Sequence, residues 1–145
     1  MPICCGMSEY FDTPILVFAA ANATELGARA RALIAETKDA VTTPHALAEC
    51  FNALTYRLNI PPGAAQKMVL QHADRFRFQS LDAMDYRLAM AEVVSNGQTG
   101  DKIYDALHLR AAMKCGASKL HTSNKRDFSP FHPTIEIVRI AVSQP

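Results

Sequence analysis

Apolar and polar positions along the chain alternate between stretches with the period of a strand and stretches with the period of a helix. Glu9, Tyr10 and Phe11 form a short strand candidate that runs into Asp12-Thr13-Pro14, and the apolar run over 15–21 that follows predicts a buried helix. Thr13 suits the N-cap of that helix. Pro14 suits its first position, where the missing N–H would be unpaired in any case. A second helix is predicted over 24–37, with Leu26, Ala30, Leu33 and Ile34 on one side, and Ala40-Val41 gives the next strand. Thr43-Pro44 then starts a third helix by the same logic. There Leu47, Phe51, Leu54 and Leu58 recur at i, i+4, i+7 and i+11, a stripe expected to face the core, while Glu49 projects from the other side with His45, Asn52 and Tyr56.

Pro61-Pro62 breaks the chain before a helix over 64–74, and 75–79 alternates with period two as a strand does. A helix over 82–95 groups Met84, Leu88 and Ala91, and 95–100 is the clearest loop. Next comes a nearly all-apolar helix over 103–115, stopped by Gly116, then a strand over 119–122 and a polar turn ending in Asp127-Phe128. Residues 129–133 are irregular, and 134–142 form a last strand rich in Ile and Val. Strands separated by helices along the whole chain predict an α/β fold whose parallel sheet is covered on both faces. Asp12 and Thr122 then lie at strand carboxyl ends, where open α/β sheets build their ligand sites. The helices bearing Glu49 and Asp105 can present their acids to the same rim.

A length of 145 residues suits one domain over 1–145, with 1–8 as a loose tail, because a chain of about 150 residues buries roughly 70% of its unfolded surface. The formal charge of +1 gives no bulk attraction to nucleic acid or an anionic membrane. Positive charge is local instead: between 102 and 126 stand Lys102, Arg110, Lys114, Lys119, Lys125 and Arg126 against the single acid Asp105. Cys4, Cys5, Cys50 and Cys115 show neither C-x-x-C nor zinc spacing and read as free thiols of a reducing compartment. With no apolar run near the roughly 18 residues of a membrane span and no secretory leader, the expectation is a soluble, cytoplasmic protein.

Three or four carboxylates at one rim would repel one another unless a hard divalent cation such as Mg2+ or Mn2+ held them through oxygen ligation. Such an ion suits phosphodiester hydrolysis. Each acid also has a structural explanation. Asp105 sits in the first turn of its helix, where the dipole favours a negative charge, and Asp12 can be a turn residue. His45, His72, His108, His121 and His132 have no metal spacing; His108, three residues after Asp105, reads as a structural hydrogen-bonding group near the site. No phosphate-binding glycine loop is present.

The segments YFDTPILVFAA, TPHALAECFNALT and GDKIYDALHLRAAMKCGASKLHTSNKRDF resemble PIN domains, particularly the VapC-type toxins of bacterial toxin–antitoxin pairs. The resemblance runs over roughly 10–140. It implies a three-layer α/β/α sandwich with a central parallel sheet, and a Mg2+- or Mn2+-dependent endoribonuclease. A homodimer inhibited by a small antitoxin is also implied. Carried over by position, Asp12, Glu49, Asp105 and Asp127 are the catalytic, metal-binding acids, supported by Thr13, Thr122 and Asn124. Lys125 and Arg126 meet the RNA backbone, and phosphate contacts of that kind give affinity without sequence choice. Two positions depart from the family's pattern: Asn124 stands where an acid is common, and Pro14 replaces an asparagine whose amide would orient the acids.

Two rival readings follow. One is a catalytically weak PIN-fold module that binds RNA or protein. The other is a phosphatase with Asp12 as nucleophile, a chemistry that wants a second acid where Pro14 stands.

Overall fold

The computed structural model describes residues 7–141, so Cys4, Cys5 and Val142 lie outside the described residues. Its strands are β1 (Ser8–Phe11), β2 (Asp39–Thr42), β3 (Arg77–Phe78), β4 (Lys119–Thr122) and β5 (Glu136–Arg139). They form one parallel sheet in the order β3-β2-β1-β4-β5. The helices are α1 (Thr13–Ala21), α2 (Glu25–Glu36), α3 (Pro44–Asn52), α4 (Pro62–Ala73), α5 (Ala83–Ser95) and α6 (Lys102–Lys114). Ser8, expected in the loose tail, is instead the buried first residue of β1.

Three layers follow from the two-residue alternation of the central strands. Tyr10 and Leu120 point to the face covered by α5 and α6, where Leu107, Ala111, Phe128 and Ile137 complete one apolar cluster. Phe11 points to the other face. There Ile15, Ile34, Cys50, Leu54 and Val69 from α1 to α4 form the second cluster. Gly116 stops α6 with φ of +72°, a left-handed conformation that only glycine adopts without strain.

The stripe predicted on α5 faces solvent, and the one predicted from α3 onward meets the core only at Leu54 and partly at Leu47. On α3 the buried positions are Ala46 and Cys50, continued by Leu54 in a π-helical turn over Ala53–Arg57. Leu47 is only partly buried, while Phe51 and Leu58 are exposed. On α5 the buried side chains are Asp85, Ala89 and Val93; Met84, Leu88 and Ala91 are exposed. In both helices small residues pack closely against neighbours, so the larger apolar side chains are turned out. The strand expected over 75–79 is cut to its middle, because the Arg75 and Phe76 amides bond the carbonyls of His72 and Ala73 and close the end of α4. The last strand begins later than expected, after left-handed His132 and a bend. On α6, Met113 is exposed rather than packed. Among the described residues no helix is long and apolar enough to cross a membrane.

Asp85 ties α5 to α6. Its carboxylate accepts from the Asp82 amide in a capping box, from Lys114 Nζ at 2.6 Å and from Arg110 Nε at 2.9 Å. The Lys114 hydrogen bond above all holds this carboxyl well below the usual carboxylate range. Asp85→Ala is expected to lower unfolding stability by about 2 kcal/mol, measured by urea denaturation near neutral pH. A depressed folded-state pKa gives stability that is complete above the ordinary carboxylate range and is lost as the pH falls toward the depressed value, so the difference between parent and variant should shrink on acidification.

Candidate metal and nucleic-acid site

β1 and β4 are neighbours, yet the chain leaves β1 toward β2 and β4 toward β5, which opens a crevice between their carboxyl ends. Asp12 follows β1 and sits at that opening. It, not Thr13, is the N-cap of α1: Asp12 Oδ1 accepts from the Thr13 amide at 2.8 Å. A carboxylate there meets both the free amides and the positive end of the helix dipole, which the Thr13 hydroxyl would meet less well. Thr122, at the end of β4, donates its hydroxyl to Asp12 Oδ2 at 2.9 Å, so both oxygens of this buried acid are positioned. Burial pushes its pKa up, against the opposing charge of His108 and the hydrogen bonds from Thr122 and Thr13.

Glu49 reaches the same crevice from α3 and is half-buried. Its Oε1 accepts from Thr13 Oγ1 at 3.1 Å and lies 2.8 Å from His108 Nε2. Burial acts to raise its pKa, but His108, His45 and Thr13 together outweigh burial and lower it. His108 is the buried centre of this half of the site. Its Nε2 faces Glu49, the Thr13 hydroxyl at 3.2 Å and Asp12 Oδ1 at 3.5 Å, while Nδ1 is 2.6 Å from the Tyr10 hydroxyl. Burial disfavours the imidazolium, yet the charges of Asp12, Glu49 and Asp105 raise its pKa.

Asp105 and Asp127 form the second half. Asp105 projects from the first turn of α6, and burial together with the nearby charges of Asp127 and Asp12 pushes its pKa up to about 6 against the pull of Lys102. Asp127 ends a 3-10 turn over Lys125–Asp127 and is the most open of the four acids, its side chain 40% exposed. Asn124 caps that turn with Oδ1 and donates from Nδ2 to Asp127 Oδ1 at 3.2 Å, so its amide steers the acid. Lys102 Nζ joins the pair, 3.1 Å from Asp105 Oδ2, 3.6 Å from Asp127 Oδ1 and 3.0 Å from the Asp127 carbonyl.

All four acids predicted from sequence line one cleft, with Thr13, Pro14, Lys102 and His108. Thr122 holds Asp12 from behind the cleft, and the exposed Asn124 holds Asp127 from the adjoining surface. Lys125 and Arg126 do not enter the cleft; they line an adjoining pocket that shares Ser123 with it. His108 is the hydrogen-bonding group beside the site that the sequence suggested, though its contacts reach further than expected, while the pairing of Lys102 with the acids was missed in the sequence. Their signal was the spacing, three residues to either side of Asp105 on one helix.

The donor set is all carboxylate oxygen, the chemistry that hard divalent cations select. Burial first, and the charges of Asp127 and Asp12 after it, raise the Asp105 pKa, so its ionised form gains from a cation beyond Lys102. Yet no three His, Cys, Asp or Glu side chains among the described residues already close on a single ion. Lys102 and His108 hold the acids in two pairs, Asp105 with Asp127 and Asp12 with Glu49.

Among curated proteins none matches the chain. Solved structures that share its fold include two VapC-type proteins. VapC20 of Mycobacterium tuberculosis, a sarcin–ricin loop cleaving toxin, superposes with a TM-score of 0.69 at 17% identity, over 83% of this chain and 93% of its own. VapBC2 from Rickettsia felis, solved bound to a DNA fragment from its promoter, gives 0.69 at 19% identity, over 92% of this chain and 99% of its own. The sequence profile of the PIN domain matches residues 10–130. That match takes in Asp12, Glu49, Asp105 and Asp127 together with the strands and helices that bring them to one rim, and the chain belongs to the PIN domain family.

Proposed function

We propose that this protein is a metal-dependent endoribonuclease that hydrolyses RNA phosphodiester bonds, and that it is the toxin of a toxin–antitoxin pair. The observation that carries the reading is the convergence of Asp12, Glu49, Asp105 and Asp127, from four separate segments, on one cleft in a PIN fold. Mg2+ or Mn2+ bound by these four carboxylates would lower the pKa of an attacking water and offset charge on the scissile phosphate. Thr122 and the Thr13 amide fix both oxygens of Asp12, so this acid need not reorganise during binding. The Thr13 hydroxyl and His108 do the same for one oxygen of Glu49 and leave the other to the cleft. Lys102, held between Asp105 and Asp127, is placed to move from these acids to a phosphate oxygen. Lys125 and Arg126 would contact the RNA backbone beside the cleft. A small antitoxin and a second copy of the chain are the protein partners this reading takes from the family, supported by the VapBC2 likeness in fold.

A second reading, a PIN-fold module that binds RNA or protein with little hydrolysis, draws support from Lys102. Its ammonium already pairs with two of the four acids, and Pro14 offers no amide to reorient them. Calorimetric titration with Mn2+ separates the two. Saturable binding that is lost in Asp12→Asn supports the nuclease, and no heat at millimolar metal supports the module.

Three outcomes are expected for the nuclease. Asp12→Asn and Asp105→Asn should each reduce Mn2+-dependent cleavage of a labelled RNA by more than the roughly 10- to 100-fold that loss of a supporting residue costs, while Thr122→Val should fall within that range; cleavage by Asp105→Asn at the parental rate would refute the assignment. Metal affinity should rise as the pH climbs through about 6, since the raised pKa keeps Asp105 protonated below that point, and calorimetry at about pH 5 and about pH 7 reads the change. In the metal-free protein the sign for folding is opposite. The folded state holds a proton that the unfolded state has lost between the ordinary carboxylate pKa and about 6, so stability should decline as the pH rises through that window, and Asp105→Asn should flatten the decline in urea denaturation.

A further inference from the structure

Lys102, in the acid cleft, pairs with Asp105 and Asp127, and farther away Arg110 and Lys114 pair with Asp85 and Arg77 with Asp39, while the exposed Arg57 also lines the cleft. Lys125, Arg126 and Arg139 are different. All three are exposed and line one open pocket with Ser123, Asn124 and Ser129, and no acid lines it. Among the described residues none of the three side chains has an ion-pair or hydrogen-bond partner. Three unpaired positive charges around one hollow are a standing attraction for a polyanion.

Register fixes this pocket relative to the acids. Arg139 stands opposite Thr122 in the β4–β5 ladder, and the next amide, Ile140, donates to the Thr122 carbonyl at 2.8 Å. The Thr122 hydroxyl in turn holds Asp12. Strand alternation puts Arg139 on the same side of the sheet as Ile137, the side where the Lys125–Asp127 turn packs. Ser123 lines both the pocket and the acid cleft, so the two are continuous. The cleft sets four carboxylates against Arg57 and the already paired Lys102, whereas the adjoining pocket carries three cations and no acid.

We propose that the pocket formed by Lys125, Arg126 and Arg139 is a backbone phosphate subsite for a single RNA strand, with Arg139 its anchor on the β5 side, and that the strand passes over Ser123 into the acid cleft. This deepens the ribonuclease reading and rests on it. An arginine here presents a planar fork that suits two phosphate oxygens at once.

The test is fluorescence anisotropy with a labelled single-stranded RNA in EDTA, where binding is read without cleavage, across a series of salt concentrations. Arg139→Gln should weaken binding roughly threefold to tenfold at low salt and reduce the slope of log affinity against log salt by about 0.7, the value for one phosphate contact on a single strand. The triple variant Lys125→Gln/Arg126→Gln/Arg139→Gln should reduce it by about 2. Arg87→Gln, exposed on α5 and outside both pockets, serves as control and should leave the slope unchanged. Parental affinity and slope in Arg139→Gln, an equal loss in the control, no RNA binding by the parent, or displacement of the RNA by poly-glutamate at matched charge would each overturn the subsite. Cleavage measured separately in Mn2+ keeps the two readings apart. If the parent does not cleave but Arg139→Gln loses binding, the subsite stands without the nuclease. If the parent cleaves and Arg139→Gln changes neither binding nor KM, the nuclease stands without the subsite.

Discussion

Like charges gathered at one sheet rim are the constraint to which the rest of this molecule answers. Asp12 is almost wholly buried and Asp105 is half-buried, and neither position would tolerate an ionised acid without compensation. Two basic side chains of different character answer this. His108 is buried, rigid and shared among Glu49, Asp12, Thr13 and Tyr10. Lys102 lies on a flexible stem at the rim and joins Asp105 to Asp127. One half of the site is therefore locked by hydrogen bonds from behind, and the other is held by a contact that a competing cation or a phosphate can exchange. Parallel β1 and β4, with α6 packed across them, are what bring the two halves to a common opening.

The second consequence is a division of labour along the rim. All four acids face the cleft together with the exposed Arg57, while three further cations without partners stand just outside it, on the turn after β4 and at the end of β5. Elsewhere basic residues are spent on structure, as Arg110 and Lys114 are on Asp85. The local excess of positive charge between 102 and 126 therefore overstates what is available to a ligand, because half of those six residues already have acidic partners.

Much of this was legible in the sequence, for identifiable reasons. Gly116, Pro61-Pro62 and the Asp-Thr-Pro step are local signals, and each fell where the structure needs it. The four acids were legible because their segments carry a family pattern. What failed was the choice of helix face. Leu47 with Phe51 and Leu58, and Met84 with Leu88, obey helical spacing as well as the true core positions do, but Ala46, Cys50, Ala89 and Val93 are the residues small enough to let their helices approach neighbours closely. Asp85 was hidden for the same reason: an acid on a helix reads as solvated until its partners arrive from α6. Lys102 and His108 were present as letters, but their meaning depends on Asp127 and Glu49, 25 and 59 residues away.

The Thr122–Asp12 hydrogen bond joins positions 110 residues apart. β1 is synthesised before β4, with β2, β3 and all of α1 to α6 between them. A growing chain can assemble α1 to α4 against β1 and β2, but it cannot fix Asp12 or bring in Asp105 and Asp127 until α6 and β4 have left the ribosome. The acid cleft is thus a property of the finished molecule alone, and a truncated or stalled product carries its components without the arrangement.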